Sequence, residues 1–493
     1  MDKYDLCVIG GGPSGYAAVM RAVDFRKKVL LIEKKQLGGA GIHHGALSSK
    51  TWWELSREAW NMRKNGRNLD HGNNFKFSFK DIRAEVRKAT NERMGMLEHH
   101  MHNINLCVDE DLVTYKEGTA RVVNKNRVEI THLDSIEEIE AEFIVLATGS
   151  RPRVLPNIPI DENIILSSDG IDKLEDFPSS MVILGAGVIG CEFATIFSNF
   201  GQTKVHIIDK GDHILPFEDV DVVREIERNL EERNVLIHRN SKLINMRVEN
   251  NQVAYTLEYT DGYQEVFRVE KALVSVGRVP NYENLFDDSV GIEINSRGII
   301  DNLTQTSVPN IYAVGDITAD ISLVNVGELE GRYAVERMYG LPPTKPLVYE
   351  NISTIMFFAP EVAGVGLNEL AAQKKEIPYK VASLDYSCIS RAVAMRNTQG
   401  FIKILVTDDD EMKILGMRVV GEHASSAIEA VALLISMDKG IRELAELIHP
   451  HPSIIEGIQE CVRMLLGSSV FKPSVLRDKM ICKAWRNGNY EKI

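Results

Sequence analysis

Leu6-Cys7-Val8-Ile9-Gly10-Gly11-Gly12-Pro13-Ser14-Gly15 is a short apolar run closed by a glycine-rich turn. A helix-like run follows from Tyr16 to Asp24, then a second apolar run, Val29-Leu30-Leu31-Ile32, and an acid, Glu33. The same order recurs later in the chain. Met181-Val182-Ile183-Leu184 leads into Gly185-Ala186-Gly187-Val188-Ile189-Gly190, a helix-like Cys191–Asn199, then Val205-His206-Ile207-Ile208 and Asp209. Strand, glycine turn, helix, strand, acid is the βαβ layout of a dinucleotide-binding fold.

The physical demand is specific. Gly10 and Gly185 permit the tight turn, Gly12 and Gly187 let a pyrophosphate approach the backbone, and Gly15 and Gly190 let the helix pack on its strand. Pro13, Ser14, Val188 and Ile189 then open helices whose unpaired N–H groups and positive dipole end face the phosphates. Glu33 lies 23 residues after Gly10, and Asp209 lies 24 after Gly185, the spacing of an acid that receives a ribose hydroxyl. Lys34 follows beside the first acid. A single such turn is compatible with a purely structural role; two, each with its acid, are not easily so explained.

The rest of the chain bounds the reading. Its 493 residues are too many for one core, and 44% hydrophobic with 26% charged residues is the balance of an ordinary globular protein. A formal net charge of −13 argues against an electrostatic grip on nucleic acid or anionic lipid. No apolar run approaches the roughly 18–20 residues of a membrane span. The N-terminus has neither a secretory nor a transit pattern, and the six cysteines include no CxxC-like pair, so a reducing cytoplasm is the expected setting. Helix is expected over about Phe79–His102, over Lys50–Arg63 and over Ala427–Met437, and strands around Val113–Ile130, Phe143–Gly149 and Phe401–Val406. From about Pro346 the composition mixes short β-rich and helical pieces. Phe471–Ile493, with six Lys/Arg against two acids, reads as an appended tail.

Further motifs appear in a set order: Ala147-Thr148-Gly149, Gly277-Arg278-Val279-Pro280-Asn281, Tyr312-Ala313-Val314-Gly315-Asp316, Pro360-Glu361-Val362 and His451-Pro452-Ser453-Ile454-Ile455-Glu456. With the two glycine turns, this series resembles the pyridine nucleotide-disulfide oxidoreductases over roughly residues 3–467. The resemblance implies an α/β chain of two Rossmann-like domains, for FAD and NAD, plus an α+β dimerisation domain. The implied order is a first FAD part (1–150), an NAD(P) domain (151–279), a second FAD part (280–347), a dimerisation domain (348–470) and the tail (471–493). It places FAD on Gly10, Gly12, Pro13, Ser14, Gly15, Glu33, Lys34, Lys50, Thr148, Gly149, Gly315 and Asp316, with Asp316 on the ribityl chain. NAD(H) falls on Gly185, Gly187, Val188, Ile189, Gly190, Asp209 and Gly277. Asp209 favours NAD(H) over NADP(H), because a carboxylate repels a 2′-phosphate, although Lys204 or Lys210 offers compensation.

The departure matters more than the match. Where the family carries two redox-active cysteines, this chain reads Gly38-Gly39-Ala40-Gly41-Ile42-His43-His44-Gly45-Ala46-Leu47-Ser48-Ser49-Lys50. Gly41 and Ala46 occupy the two positions, and neither side chain can accept electrons as a disulfide. Lys50 and Glu192 match the family's lysine beside the flavin and its glutamate partner; a buried lysine needs such a partner. Val188 stands where some relatives carry a gating tyrosine.

The run Gly185–Phe197 and His43 resemble the soluble transhydrogenase branch, whereas His451 and Glu456 resemble the dihydrolipoamide dehydrogenases. His451 has the pKa range for acid–base work with Glu456 orienting it, while Ser453 and Glu456 also form a capping-box pattern for a helix over Ile454–Leu466. These readings point to hydride passing from NADH by way of the flavin to a small acceptor such as NADP⁺ or a quinone. The alternatives are a dihydrolipoamide dehydrogenase-type enzyme and a flavin-bound scaffold or nucleotide sensor. A homodimer with each active site completed by the partner chain is implied. His43 and His44 read as packed or solvated, Trp52, Trp53 and Trp60 as a packing stripe, and His99, His100 and His102 as too poorly convergent for a metal.

Overall fold

The structure is a computed structural model that describes residues 1–493 except 66–75, 109, 134, 341–346 and 446. Pro346, where the composition changes, lies outside the described residues. The chain divides into two compact units: Met1–Leu55 with Asn74–Phe177 and Val274–Leu347, and Ser56–Asn73 with Pro178–Leu273 and Val348–Ile493.

The first unit is built on a parallel sheet. Its neighbouring strands run Ile311–Ala313, Ser135–Leu146, Asp2–Ile9, Val29–Glu33 and Val113–Glu117, with shorter antiparallel pieces beside them. Both faces are covered, which is why the strands read as continuous apolar runs rather than alternating ones. Helix α1 (Pro13–Asp24) buries Gly15, Ala18, Val19, Ala22 and Val23, a stripe at 3.6-residue spacing, against Leu6, Val8, Leu31 and Val145. The helix Val324–Met338 comes so close that a Cβ on Gly331 would sit 2.2 Å from the Ser14 carbonyl oxygen. Two further helices follow the glycine turn, α2 (Gly39–His43) and α3 (Ala46–Asn65), and then the long α4 (Phe79–Val108).

The second unit contains its own βαβ core, with Ser180–Leu184, Lys204–Ile208 and Leu236–His238 as parallel neighbours. Helix α5 (Val188–Phe200) is buried from Gly190 to Phe200 and ends on Gly201 in the left-handed conformation. The same unit carries a seven-stranded antiparallel sheet whose order is Thr354–Met356, Val362–Gly366, Ile414–Val420, Phe401–Thr407, Tyr379–Asp385, Met480–Arg486 and Asn489–Lys492.

The last two strands correct the reading of 471–493 as an appended tail. Met480 and Ala484 are buried, and Trp485 stacks on Tyr379 with ring centroids 5.7 Å apart. Two of the basic residues that suggested a solvated appendage are engaged by partners within this unit. Lys483 lies 3.6 Å over the Tyr490 ring, and Arg486 clamps Asp408.

His206 and His238 lie on adjacent parallel strands, two positions apart in register and on one face. Both are buried, with Tyr255 hydroxyl 2.8 Å from His206 Nδ1 and Tyr259 hydroxyl 3.2 Å from His238 Nδ1. Burial lowers each imidazole from 6.5 to about 4, and His206 is lowered further by His238. The unfolded chain therefore binds these protons first. Their contribution is complete above about pH 6.5 and is withdrawn as pH falls towards about 4. Allowing for solvent screening, each imidazole accounts for about 2 kcal/mol over that window. Urea midpoints between pH 7 and 4.5 should fall less steeply in His206→Asn/His238→Asn than in the parent chain; parallel slopes would contradict this assignment.

Candidate nucleotide and redox site

The first glycine turn separates two jobs. Gly10 has φ +110°, and a Cβ there would lie 2.3 Å from the Ala147 carbonyl oxygen. A Cβ on Gly15 would lie 1.9 Å from the Gly10 oxygen. These two glycines are pressed against protein. Gly12 between them has no atom within 4 Å of a Cβ position, so an open cradle faces the start of α1. The second turn repeats this: Gly185 has φ +104° and Gly187 opens on free space, at the start of α5. Both cradles have the shape a pyrophosphate needs.

The acids repeat as well. Glu33 accepts from Gly11 N–H at 2.7 Å and Lys35 N–H at 2.8 Å. Asp209 accepts from Ala186 N–H at 2.8 Å and Gly211 N–H at 3.0 Å. Each carboxylate is thereby held at the mouth of its glycine turn, where a ribose edge would pass. Lys34 is exposed beside Glu33.

The other motifs of the first unit meet at the same sheet end. Asn281 donates from its side chain to Thr148 carbonyl at 2.9 Å and from its backbone to Gly149 carbonyl, while Thr148 hydroxyl donates to Asn281 carbonyl at 2.6 Å. Ser150 hydroxyl donates to Asp316 at 2.7 Å, and Arg278 donates to Ser150 Oγ at 2.8 Å. Gly315 has φ +72° and its N–H is held by buried Glu330 at 2.7 Å; a Cβ there would meet Ser14 Oγ at 2.3 Å. Ser150, Arg278, Asn281 and Glu330 thus fix Asp316 and the Gly149 turn, roles the sequence alone did not assign. Arg278 and Asn281 lie inside a recognised motif and were findable there; Glu330 is an ordinary helical glutamate and was not. Gly277, at φ +101°, accepts from Arg153 N–H at 3.0 Å.

The loop around residue 41 is closed on itself. Gly41 sits in α2, and a Cβ added to it would lie 2.7 Å from Pro13 Cγ. His43 Nε2 and the Leu37 carbonyl oxygen are 2.9 Å apart, and His44 is exposed. Ser49 hydroxyl donates to Gly45 carbonyl, and Lys50 Nζ donates to Ser49 Oγ at 3.2 Å. Trp52 and Trp53 are buried, Trp52 donating to Asp172 at 3.1 Å, but Trp60 does not continue the stripe. It is partly exposed, with the Arg233 guanidinium 4.2 Å over its ring. His100 is tied to the Tyr16 hydroxyl.

In the second unit, buried Glu192 accepts from Phe357 N–H at 3.0 Å. His451 Nδ1 is 2.8 Å from Glu456 Oε1, while Glu456 Oε2 accepts from Ser453 N–H at 2.8 Å. Partial burial works against the Glu456 carboxylate, but Ser453 N–H and His451 outweigh it and hold the group below its ordinary range. The capping box is only half formed. The helix starts at Glu456 rather than Ile454, and Ser453 Oγ has no partner, because the backbone at Ile455 is already helical and the serine is too far back to cap.

The family pattern described as pyridine nucleotide-disulphide oxidoreductase matches residues 4–331, and that family's dimerisation domain matches residues 352–462. The chain belongs to the pyridine nucleotide-disulphide oxidoreductases. Curated relatives include a dihydrolipoyl dehydrogenase of Bacillus subtilis, 30% identical over 469 residues, covering 94% of this chain and 97% of the relative. A dihydrolipoyl dehydrogenase of Chlamydia trachomatis is 30% identical over 476 residues, covering 96% and 99%. Among solved structures, LpdA from Mycobacterium tuberculosis superposes with a TM-score of 0.84 at 26% identity, covering 94% of this chain and all of that one.

As a pyridine nucleotide-disulphide oxidoreductase, the protein is an oxidoreductase with FAD and NAD(H) as cofactors and carries a dimerisation domain. Among the described residues no helix is long and apolar enough to cross a membrane. All six cysteines are free. Cys7 and Cys107 fall in the first unit, Cys7 buried in the strand Asp2–Ile9, where burial drives its thiol well above the usual range, and Cys107 exposed near the end of α4. Burial at Cys7 disfavours a reactive thiolate there.

Proposed function

We propose that this oxidoreductase takes hydride from NADH and delivers it to a small acceptor with no protein disulfide in between, a transhydrogenase-like reaction. The observation that carries the reading is the pair Gly41 and Ala46, with Gly41 seated against Pro13 where even a Cβ is crowded. FAD, when bound, supplies the two-electron chemistry. The chain's residues supply the rest. Gly10, Gly12 and Gly15 with the start of α1 receive the FAD pyrophosphate, Glu33 its ribose, and Asp316, locked by Ser150 and Arg278, its ribityl hydroxyls. Gly185, Gly187 and Gly190 with Asp209 receive NADH, and Val188 leaves the path for the nicotinamide open.

Lys50 would stabilise negative charge that develops on the flavin when bound, and Glu192 is the acid that matches the family's partner to this lysine. Two electrons leave NADH as hydride, and the acceptor gains two electrons. A quinone also requires protons; His451, oriented by Glu456 and contributed from the partner chain of a homodimer, is placed in that role. NADP⁺ requires none. The six free thiols fit a cytoplasmic setting.

A second reading, dihydrolipoyl dehydrogenase, draws on the names of the relatives and on the His451–Glu456 contact of 2.8 Å. A panel of NADP⁺, quinones and lipoamide, each run with NADH before and after treatment with iodoacetamide, separates the two. Turnover with NADP⁺ or a quinone, unaffected by alkylation, is expected. Lipoamide-dependent turnover abolished by alkylation would overturn the proposal.

A further inference from the structure

Two arginines of the second unit donate to neutral acceptors. At the C-terminal end of α5, Arg63 Nη1 donates to Asn199 carbonyl at 3.0 Å, and Arg233 donates to Asn199 Oδ1 at 3.0 Å and to Asn229 carbonyl at 2.8 Å. All of these acceptors are neutral, and neither guanidinium forms a salt bridge among the described residues. Glu232, the acid beside them, pairs instead with Arg228 at 3.8 Å. The seat for Arg63 is built in: a Cβ on Gly201 would lie 1.9 Å from its guanidinium, so the left-handed glycine that ends α5 also makes room for the cation. Burial lowers both arginines from their usual value, Arg233 to about 10; for Arg233 nearby Glu232 offsets part of this and Arg63 adds to it.

These groups line a cleft of about 350 Å³ together with Trp60, Gln202, Thr203 and Lys204. Thr203 is 7% exposed, and its Oγ1 has no hydrogen-bond partner. A buried hydroxyl left unpaired is costly, and a turn of the Thr203 side chain towards the cleft would let a ligand oxygen satisfy it. Capping the end of α5 accounts for only part of the charge. The helix end carries about −0.5 of a charge, whereas among the described residues lining the cleft Arg63, Lys204 and Arg233 bring three cations against the single acid Glu232. On a chain of net charge −13, this is a local positive site. Forked guanidinium donors, an ammonium and a hydroxyl in one cleft are the donor set for a tetrahedral oxyanion, and the volume suits a small molecule carrying one.

We propose that the cleft formed by Arg63, Arg233, Lys204 and Thr203 is a binding site for a small phosphomonoester, separate from both dinucleotide cradles. It lies at the opposite end of α5 from the Gly185–Gly190 turn, about 20 Å away along a helix of 13 residues.

The test is calorimetric titration of phenyl phosphate into FAD-loaded protein kept saturated with NAD⁺, so that the cradles are occupied. A saturable site per chain is expected. Thr203→Val and Lys204→Gln should each weaken it at least about threefold, and Arg63→Gln at least about tenfold. Thermal melting of each variant identifies any loss of fold. If Arg63→Gln unfolds, the threonine and lysine changes, which remove a hydroxyl and an ammonium charge, decide the outcome. Absence of saturable binding in the parent protein, or binding unchanged in the Thr203 and Lys204 variants, would overturn the proposal.

Discussion

Lys403→Met should destabilise the second unit by about 3–5 kcal/mol, the usual result of breaking a buried ion cluster from one side. Lys403 is 1% exposed, and its ammonium lies 2.7 Å from Asp219, 2.7 Å from Asp221 and 3.1 Å from Glu369. Desolvation opposes its charge, but the three acids outweigh that and hold it protonated well above the ordinary lysine range. Removing it leaves buried Asp219 without this cation and buried Glu369 with Lys483, at 3.4 Å, alone. The methionine fills the volume, so the loss measures charge rather than a cavity. The cluster also sets an acid limit. Burial works against the Glu369 carboxylate, yet Lys403 and Lys483 bring it from 4.5 down to about 2, so its contribution is present above about pH 4.5 and lost as pH falls towards 2. Urea unfolding at neutral pH checks the substitution; a change under about 1 kcal/mol would show that the lysine is dispensable.

Gly15→Val should abolish tight flavin binding, lowering bound FAD per chain more than about tenfold under dilution. The added Cβ would sit 1.9 Å from Gly10 carbonyl oxygen and 3.2 Å from Ala147 Cβ, both fixed by the sheet. The start of α1 must then lift from its strand. That tilts the N–H groups away from the pyrophosphate and widens the Gly12 cradle, while the second glycine turn is untouched. Absorbance of FAD retained after gel filtration, with NAD⁺ binding as the internal control, reads the effect. Full flavin retention would mean that α1 need not pack so closely to hold the cofactor.

The parts of this molecule carried by local chemistry are legible in the chain. A turn that needs φ near +110° at Gly10, an open backbone at Gly12 and a carboxylate about two dozen residues later announces itself. The structure shows why the pattern works, since each acid is held by the N–H one residue past the first glycine. Features assembled from distant segments are not legible in that way. Lys403 reads as one polar residue in the strand Phe401–Thr407, and its partners sit at 219, 221 and 369. Arg63 and Arg233 come from different helices, and nothing near either signals the other. Residues 471–493 mislead for a related reason: composition reports charge but not its partners. Met480 and Ala484 are buried, while Lys483 and Arg486 of the same strand are held by Glu369 and Asp408. Ser453 shows the reverse error, a motif correct in letters whose serine lies two residues before the capping position, Ile455.

Anaerobic titration of the FAD-loaded protein with NADH, with protein thiols counted before and after, bears most directly on electron flow without a disulfide. Full bleaching of the flavin at about one NADH per chain with no new thiols is the expected result. Uptake of about two NADH per flavin, accompanied by two thiols that were absent before reduction, would contradict it.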